Sequence, residues 1–262
     1  MTFKLNSLSE LVSIVGAAPS EPPAATATGP LWPGSSGQYA GPDATSFPDA
    51  TGFGADYAAS ARPRWRERLS AAERRVRDVL LSGALLVATL PVCLAAACMI
   101  KLESPGPVLY RQTRVGLNGD TFQILKLRSM RDDAEPDGPC WAAIGDPRVT
   151  RVGAWLRRAR IDELPQLLNV LRGEMSLIGP RPERPHFVRT LAETLPDYER
   201  RTAVLPGITG LAQVKLPYGA SVGDARRKLA WDLAYVQHRS LSLDVFILLA
   251  TVRVVLFGIG AR

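Results

Sequence analysis

Residues Val79–Ile100 read VLLSGALLVATLPVCLAAACMI, twenty-two residues without a charge, closed by Lys101. As one helix this run covers about 33 Å, enough to cross the hydrocarbon core of a bilayer. Pro91 lies just past its middle. It removes a backbone donor and crowds the preceding turn. Two readings stay open on these residues alone. One is a kinked spanning helix, because proline is tolerated where neighbours re-satisfy the freed carbonyl. The other is a helix broken at Pro91 that enters and leaves the membrane on one face. Arg74, Arg75 and Arg77 precede the run, and Lys101, Arg111 and Arg114 follow it. Basic segments stay in the cytoplasm, so basic flanks at both ends lean mildly toward the same-face return, although the apolar run by itself reads first as a spanning helix.

Upstream, RPRWRERLSAAERRVRD (62–78) reads as a basic juxtamembrane helix. Before it, residues 18–61 are rich in Ala, Pro, Gly, Ser and Thr and poor in large aliphatics. Such a stretch buries too little apolar surface to offset its ordering entropy, so a disordered extension is expected over 1–61. LSELVSIVGA (8–17) is a weak apolar pattern. Glu10 interrupts it and Lys4 is its sole basic start, which argues against a signal peptide. The net charge of the whole chain is +7. Lys4 against Glu10, Glu21, Asp43, Asp49 and Asp56 leaves the extension near −4 and the remainder near +11. A basic body suits phosphate-rich partners: nucleic acid, an anionic membrane face or phosphorylated small molecules. The three cysteines, Cys93, Cys98 and Cys140, form no disulfide or zinc pattern. With only His186 and His238 present, a metal would be hard and carboxylate-bound, such as Mg²⁺.

Downstream, SPGPVLYRQ and TFQILKLRSM flank GLNGD (116–120). Asn118-Gly119 between apolar runs predicts a hairpin. Residues 132–147 read as a loop. Helices are expected over about 149–159, 162–173, 186–203 and 222–238. GPRPERP (179–185) is a stiff loop, and PGITGLAQV (206–214) a turn with a short extended piece. Residues 241–258 are apolar around Asp244 and Arg253, which suits either a membrane-surface helix or a core helix.

The chemistry concentrates in RRARIDELP (157–165). Asp162 is placed to cap a helix whose first turn holds Pro165. A helix start favours anions, and Arg157, Arg158 and Arg160 add positive charge, so an ionised aspartate is expected. Such a carboxylate can attack an electrophilic phosphorus. Glu163 beside it could hold Mg²⁺ against a diphosphate. In isolation, plain capping and a solvated ion pair are the commoner explanation of the same residues. Other segments add weight. Arg181 and Glu183 sit in the stiff GPRPE loop, where a phosphate grip costs little ordering entropy. Lys126 and Arg128, two apart at a strand end, are expected on one face. No GxxxxGK[ST], GxGxxG or G-x-S-x-G occurs, so no familiar nucleotide loop or serine elbow is visible. The basic residues are not interleaved with stacking aromatics and no nucleic-acid motif is present, which argues against a nucleic-acid binder.

Taken together, YRQTRVGLNGDTFQILKLRSM, DPRVTRVGAWLRRARIDELPQLLNVLRGEMSLIGPRPERP, PGITGLAQV and KLAWDLAYVQHRSLSLDVFILLATVRVVLFGIGAR resemble the bacterial sugar transferases. These are the monotopic polyprenyl-phosphate phosphoglycosyl transferases. The likeness covers about Arg74–Arg262, and PYGASVGDARRKL and VVLFGIGAR are similar to the exopolysaccharide-priming branch. It implies an α/β fold: a small, irregular, mainly helical domain (102–262) with a short β-hairpin on the cytoplasmic face of the bacterial inner membrane. Residues 62–101 would supply the basic helix and a re-entrant membrane helix broken near Pro91, behind the disordered extension 1–61.

The resemblance also implies roles. Asp162 would attack the β-phosphate of a UDP-sugar and UMP would leave. Glu163, with Asp162, would bind Mg²⁺. Arg157 and Arg181 would serve phosphate or substrate, and Lys126 and Arg114 match further basic positions of the family motifs. The partners implied are a UDP-sugar, polyprenyl phosphate, the lipid bilayer and other polysaccharide-assembly proteins, with no nucleic acid. The sequence departs from the family pattern at Leu127, commonly Phe, and Leu211, frequently Trp. It also carries a short extension where many relatives have several membrane helices. A catalytically dead scaffold is disfavoured because Asp162, Glu163, Arg157 and Arg181 are all present.

Overall fold

The computed structural model describes residues 64–131, 145–216 and 221–256. The extension 1–61 and most of the 132–147 loop lie outside the described residues. The first element, α1 (Arg64–Glu103), is a single helix of 40 residues. Helical backbone continues through Pro91, so the break expected there does not appear. One missing backbone donor is tolerable inside a long apolar helix. Thr89 Oγ1 also donates to the Leu85 carbonyl at 2.7 Å in the turn beside it. Much of the apolar surface of α1 faces outward, with Leu80, Leu85, Val87, Leu90 and Leu94 exposed.

The helix is fastened to the rest of the chain at both ends. Near its start, Arg75 donates to the Val170 and Leu171 carbonyls. Arg77 pairs with Asp244 at 3.3 Å, and the Asp78 carboxylate accepts from the Leu177 amide at 3.1 Å. Near its end, Ala96 and Ile100 pack against Leu127 and Leu156 in a buried cluster. Arg128 donates to the Ser104 carbonyl, the Ser104 hydroxyl and the Pro105 carbonyl at 2.7–2.9 Å. The buried Arg128 therefore closes the end of the apolar helix and does not share an anionic face with Lys126, as the strand spacing had predicted. It sits one residue beyond the strand, where the alternation no longer governs.

The hairpin forms as expected. Strands β1 (Leu109–Val115) and β2 (Thr121–Leu127) pair antiparallel from Leu109↔Leu127 to Val115↔Thr121. The turn places Asn118 at φ 54° and Gly119 at φ 88°, the left-handed backbone that an Asn-Gly pair supplies. Helix α2 (Arg151–Arg158) follows, with the Thr150 hydroxyl accepting from the Gly153 amide at 2.9 Å. Gly153 is required by proximity, because a Cβ there would lie 2.0 Å from the Ser129 carbonyl oxygen.

The segment after α2 differs from expectation. Arg160 takes left-handed backbone (φ 58°), a 3-10 turn covers Ile161–Glu163, and α3 begins only at Gln166 and ends at Arg172. Asp162 therefore lies inside the turn and is not a helix N-cap. Pro165 stands as the residue before α3. The helix expected over 186–203 is also split. Helix α4 spans Pro185–Thr194 and a separate 3-10 segment spans Tyr198–Ala203. Pro196 forces Leu195 into extended backbone (φ −115°, ψ 110°), and Asp197 is left-handed at φ 62°. Helices α5 (Leu211–Lys215), α6 (Val222–His238) and α7 (Leu241–Leu256) complete the chain. A capping box between Ser221 and Asp224 starts α6. The main core joins Val115, Phe187, Val188, Leu191, Leu195, Tyr198 and Leu229.

A second, parallel strand pair sets β3 (Ser176–Ile178), not expected from the sequence, beside β4 (Gly207–Thr209), the short extended piece expected within 206–214. Glycines make it possible. A Cβ on Gly207 would sit 2.0 Å from the Gly179 nitrogen, and one on Gly210 would sit 2.2 Å from the Gly179 carbonyl oxygen. Backbone crosses backbone directly. We expect Gly207→Ala to cost about 1–3 kcal/mol, a fall of roughly 3–10 °C in Tm. An unchanged melt of the detergent-solubilised protein would show that the crossing is not this tight.

Candidate active site

The 3-10 turn carrying Asp162 and Glu163 bridges α2 and α3. Both carboxylates are buried. Three elements deliver cations to Glu163. Lys126 from β2 places Nζ 3.2 Å from Oε1, and Arg181 from the GPRP loop donates Nη2 to the same oxygen. Arg160 of the turn lies 3.9 Å from Oε2. Arg181 also donates Nη1 to Gln213 Oε1 of α5 at 3.1 Å.

The spacing between β2 and the turn is set by Asn169 of α3, a fully buried side chain. Its Oδ1 accepts from the Leu125 amide at 3.0 Å, and its Nδ2 donates to the Gln123 carbonyl at 2.8 Å. The amide thus substitutes for a neighbouring strand along the edge of β2. This holds the Lys126 strand against the helix that follows the acidic pair.

Electrostatics divide the two acids. Burial disfavours charge on Glu163, but Arg181, Lys126 and Arg160 outweigh it and hold its carboxyl well below the usual carboxylate range. Asp162 receives less of this help. Burial and the charge of Glu163 push its carboxyl up to about 6, against the pull of Lys126, Arg157 and Arg181. Two carboxyls pushed apart in this way take different roles. Glu163 is fixed as an anion within a cationic frame. Asp162 is raised well above the ordinary value that its arginine-rich surroundings had suggested, yet it is mostly ionised at neutral pH. Among the described residues no hydrogen bond or ion pair ends on the Asp162 carboxylate, so its oxygens are not committed. Burial lowers the pKa of the Lys126 ammonium, with Glu163 opposing the shift.

The structure therefore brings Asp162, Glu163, Lys126 and Arg181 together. Arg157, on the last turn of α2, acts on Asp162 through its charge and makes no hydrogen bond or ion pair among the described residues. Arg114 is placed elsewhere. Its Nη1 donates to the Pro182 carbonyl at 3.0 Å and pairs with Glu183 at 3.6 Å, so it grips the GPRP loop. Asn169 and Gln213 were missed at the sequence level. Both lie inside the recognised motifs, but a neutral amide gives no charge signal, and only the fold shows what each one holds.

For Mg²⁺, the donor set offers two carboxylates and no third acidic, His or Cys ligand among the described residues. Magnesium commonly binds through one or two carboxylates together with substrate phosphates. Asp162 and Glu163 fit that pattern once a diphosphate is present.

Known proteins resemble this chain over much of its length. The profile described as "Bacterial sugar transferase" matches residues 69–258. A UDP-N-acetylgalactosamine-undecaprenyl-phosphate N-acetylgalactosaminephosphotransferase of Aeromonas hydrophila is 48% identical over 189 residues, 72% of this chain and 45% of that protein. A UDP-glucose:undecaprenyl-phosphate glucose-1-phosphate transferase of Caulobacter vibrioides is 51% identical over 183 residues, 68% of each chain. The exopolysaccharide production protein PSS of Rhizobium leguminosarum is 43% identical over 188 residues, 68% of this chain and 92% of that protein. The match thus spans less than half of the Aeromonas relative but nearly all of the Rhizobium one. By the extent of the profile match and by these identities, the chain belongs to the bacterial sugar transferase family.

Proposed function

We propose that the protein moves a hexose-1-phosphate from a UDP-sugar to undecaprenyl phosphate, the priming step of exopolysaccharide synthesis. The observation that carries this reading is the uncommitted Asp162 carboxylate beside a Glu163 whose Oε1 is held by Lys126 and Arg181. In the first step an Asp162 oxygen attacks the β-phosphorus of the UDP-sugar. The bond from that phosphorus to the bridging oxygen breaks, and UMP leaves with the oxygen. The product is an aspartyl phosphosugar. In the second step a phosphate oxygen of undecaprenyl phosphate attacks the same phosphorus. The aspartyl bond breaks, Asp162 is regenerated, and a polyprenyl-diphosphate sugar departs.

Lys126 and Arg181 offset charge on the transferring phosphoryl group, and Arg157 supplies a guanidinium with no competing partner among the described residues. Glu163 orients both fixed cations. Mg²⁺, held by Asp162 and Glu163 with the substrate, would neutralise the diphosphate as UMP departs.

The membrane helix supports a same-face placement. Both ends of α1 bond to one domain, through Arg75, Arg77 and Asp78 at the start and through Glu103 and Ser104 at the end. A helix crossing a bilayer cannot hold one domain at both ends on the same side. We therefore place α1 in one leaflet with its exposed leucines and valines toward lipid, and the domain on the cytoplasmic face of the inner membrane.

Asp162→Asn should abolish UMP release while the protein stays membrane-bound. The same change should not lower Tm, and should raise it by roughly 2–4 °C or more. The sign follows from linkage. A carboxyl with a raised folded pKa destabilises the fold above that pKa, and the penalty disappears below the unfolded value. Full transfer by the Asn variant would refute the covalent route. UMP release from wild type should rise by roughly tenfold per pH unit below about 6 and level off above it, as Asp162 ionises. A profile flat from pH 5 to 8 would show that the Asp162 carboxyl titrates below this range when substrate is bound. Chelation should stop UMP release, with Mg²⁺ restoring it, and Glu163→Gln should raise the Mg²⁺ concentration needed. Release that persists in chelator would exclude the metal.

A further inference from the structure

The loop that presents Arg181 is held in an unusual way. Four consecutive carbonyls, from Pro180 to Glu183, each accept a hydrogen bond from a distant segment. The Gly207 amide reaches Pro180 at 2.9 Å, and the Val115 amide reaches Glu183 at 2.9 Å. The two between them are held by arginine side chains. Arg201 Nη2 donates to the Arg181 carbonyl at 2.8 Å, and Arg114 Nη1 to the Pro182 carbonyl at 3.0 Å.

Arg201 is itself fixed by a buried ion pair. Its Nε and Nη2 both donate to Asp232 Oδ2, at 3.0 and 2.6 Å, and its guanidinium lies over the Tyr198 ring at 5.2 Å. The Arg201 and Asp232 side chains are 8% and 4% exposed. Burying such a pair costs desolvation that the attraction rarely exceeds, and apolar replacements are often as stable or more so. Stability is therefore a poor account of it. What an apolar pair could not supply is a donor aimed at the Arg181 carbonyl, directly behind a side chain that reaches Glu163 and Gln213.

We propose that Asp232 and Arg201, with Arg114 beside them, are positioning residues. They lock the backbone of the GPRP loop so that the Arg181 guanidinium meets Glu163 and the transferring phosphate. The inference rests on the transferase reading for its kinetic readout. None of the three need touch substrate. Arg114 accordingly belongs with the loop clamp rather than with the phosphate-binding cations.

The decisive variant is the apolar pair Arg201→Met with Asp232→Leu, which removes the donor without leaving a buried charge. It should melt near wild type and lose kcat for UMP release by roughly ten- to hundredfold, with KM little changed. In an Arg181→Ala background the same pair should cost less than about twofold, because the clamp then has nothing to position. Amide exchange gives a second readout without substrate. Val115 and Gly207, whose N–H groups end on the loop, should exchange roughly tenfold faster, while Leu125, held by Asn169, should not change. Should the apolar pair misfold, Arg201→Lys is put through the same measurements. Full activity in the folded variant, an equal loss with and without Arg181, or unchanged exchange at Val115 and Gly207 would each overturn the proposal. If wild type releases no UMP from any UDP-sugar, the transferase reading fails, and the exchange experiment still judges the clamp.

Discussion

The Glu163 carboxylate is the point on which the site depends. It is buried, ionised, and met by cations from a strand, a loop and its own turn. Left without them it would be an uncompensated charge in a low dielectric, which no small domain tolerates. Each cation is likewise half-solved without Glu163, since Lys126 is buried. The groups are therefore mutually conditional, and the elements that carry them must arrive in register. Asn169 of α3 bonded to β2, the glycine crossing at Gly179 and Gly207, and the donors that reach the GPRP loop all serve that register. Asp162 is the beneficiary. Its neighbour has taken the counter-charges, so its own oxygens stay available.

Much of this was legible in the sequence where it depended on local chemistry. Asn118-Gly119 announced the hairpin, the pattern over 222–238 helix α6, and the uncharged run the long helix. The acidic pair and Arg181 stood out because charge in stiff or helix-starting segments is conspicuous. The misreadings came where long-range packing overrides local preference. Asp162 looked like an N-cap, but Arg160 turns left-handed and delays the helix, which lets the turn face Lys126. Strand β3 is three residues long, too short for any alternation to register, and its pairing with the expected extended piece at β4 is long-range. Pro196 was the visible warning that one helix would become two. Arg114 and Arg128 drew attention as cations, yet each is taken up by groups of the fold: Arg114 by Pro182, Gln112 and Glu183, Arg128 by Ser104 and Pro105. A sequence marks charge but not what the charge faces.

Attachment of α1 by polar bonds at both ends makes the membrane segment an integral wall of the domain. Arg75 completes the carbonyl end of α3, the same helix whose opposite end begins just after the acidic pair. Arg128 completes the carbonyl end of α1 and sits two residues beyond Lys126. The apolar helix and the acidic pair are thus linked through only a few bonds. That proximity suits chemistry joining a water-soluble donor to a membrane-bound acceptor.

The Arg77–Asp244 contact has a consequence for how the chain is made. Its partners are 167 residues apart, near the two extremes of the described fold. At roughly 5–20 residues per second, a ribosome takes on the order of 10–30 s to supply the second after the first. For most of that interval the apolar helix has been made while the helix that braces its base has not. An apolar surface left unbraced for so long needs other cover, and the brace that closes the fold arrives last.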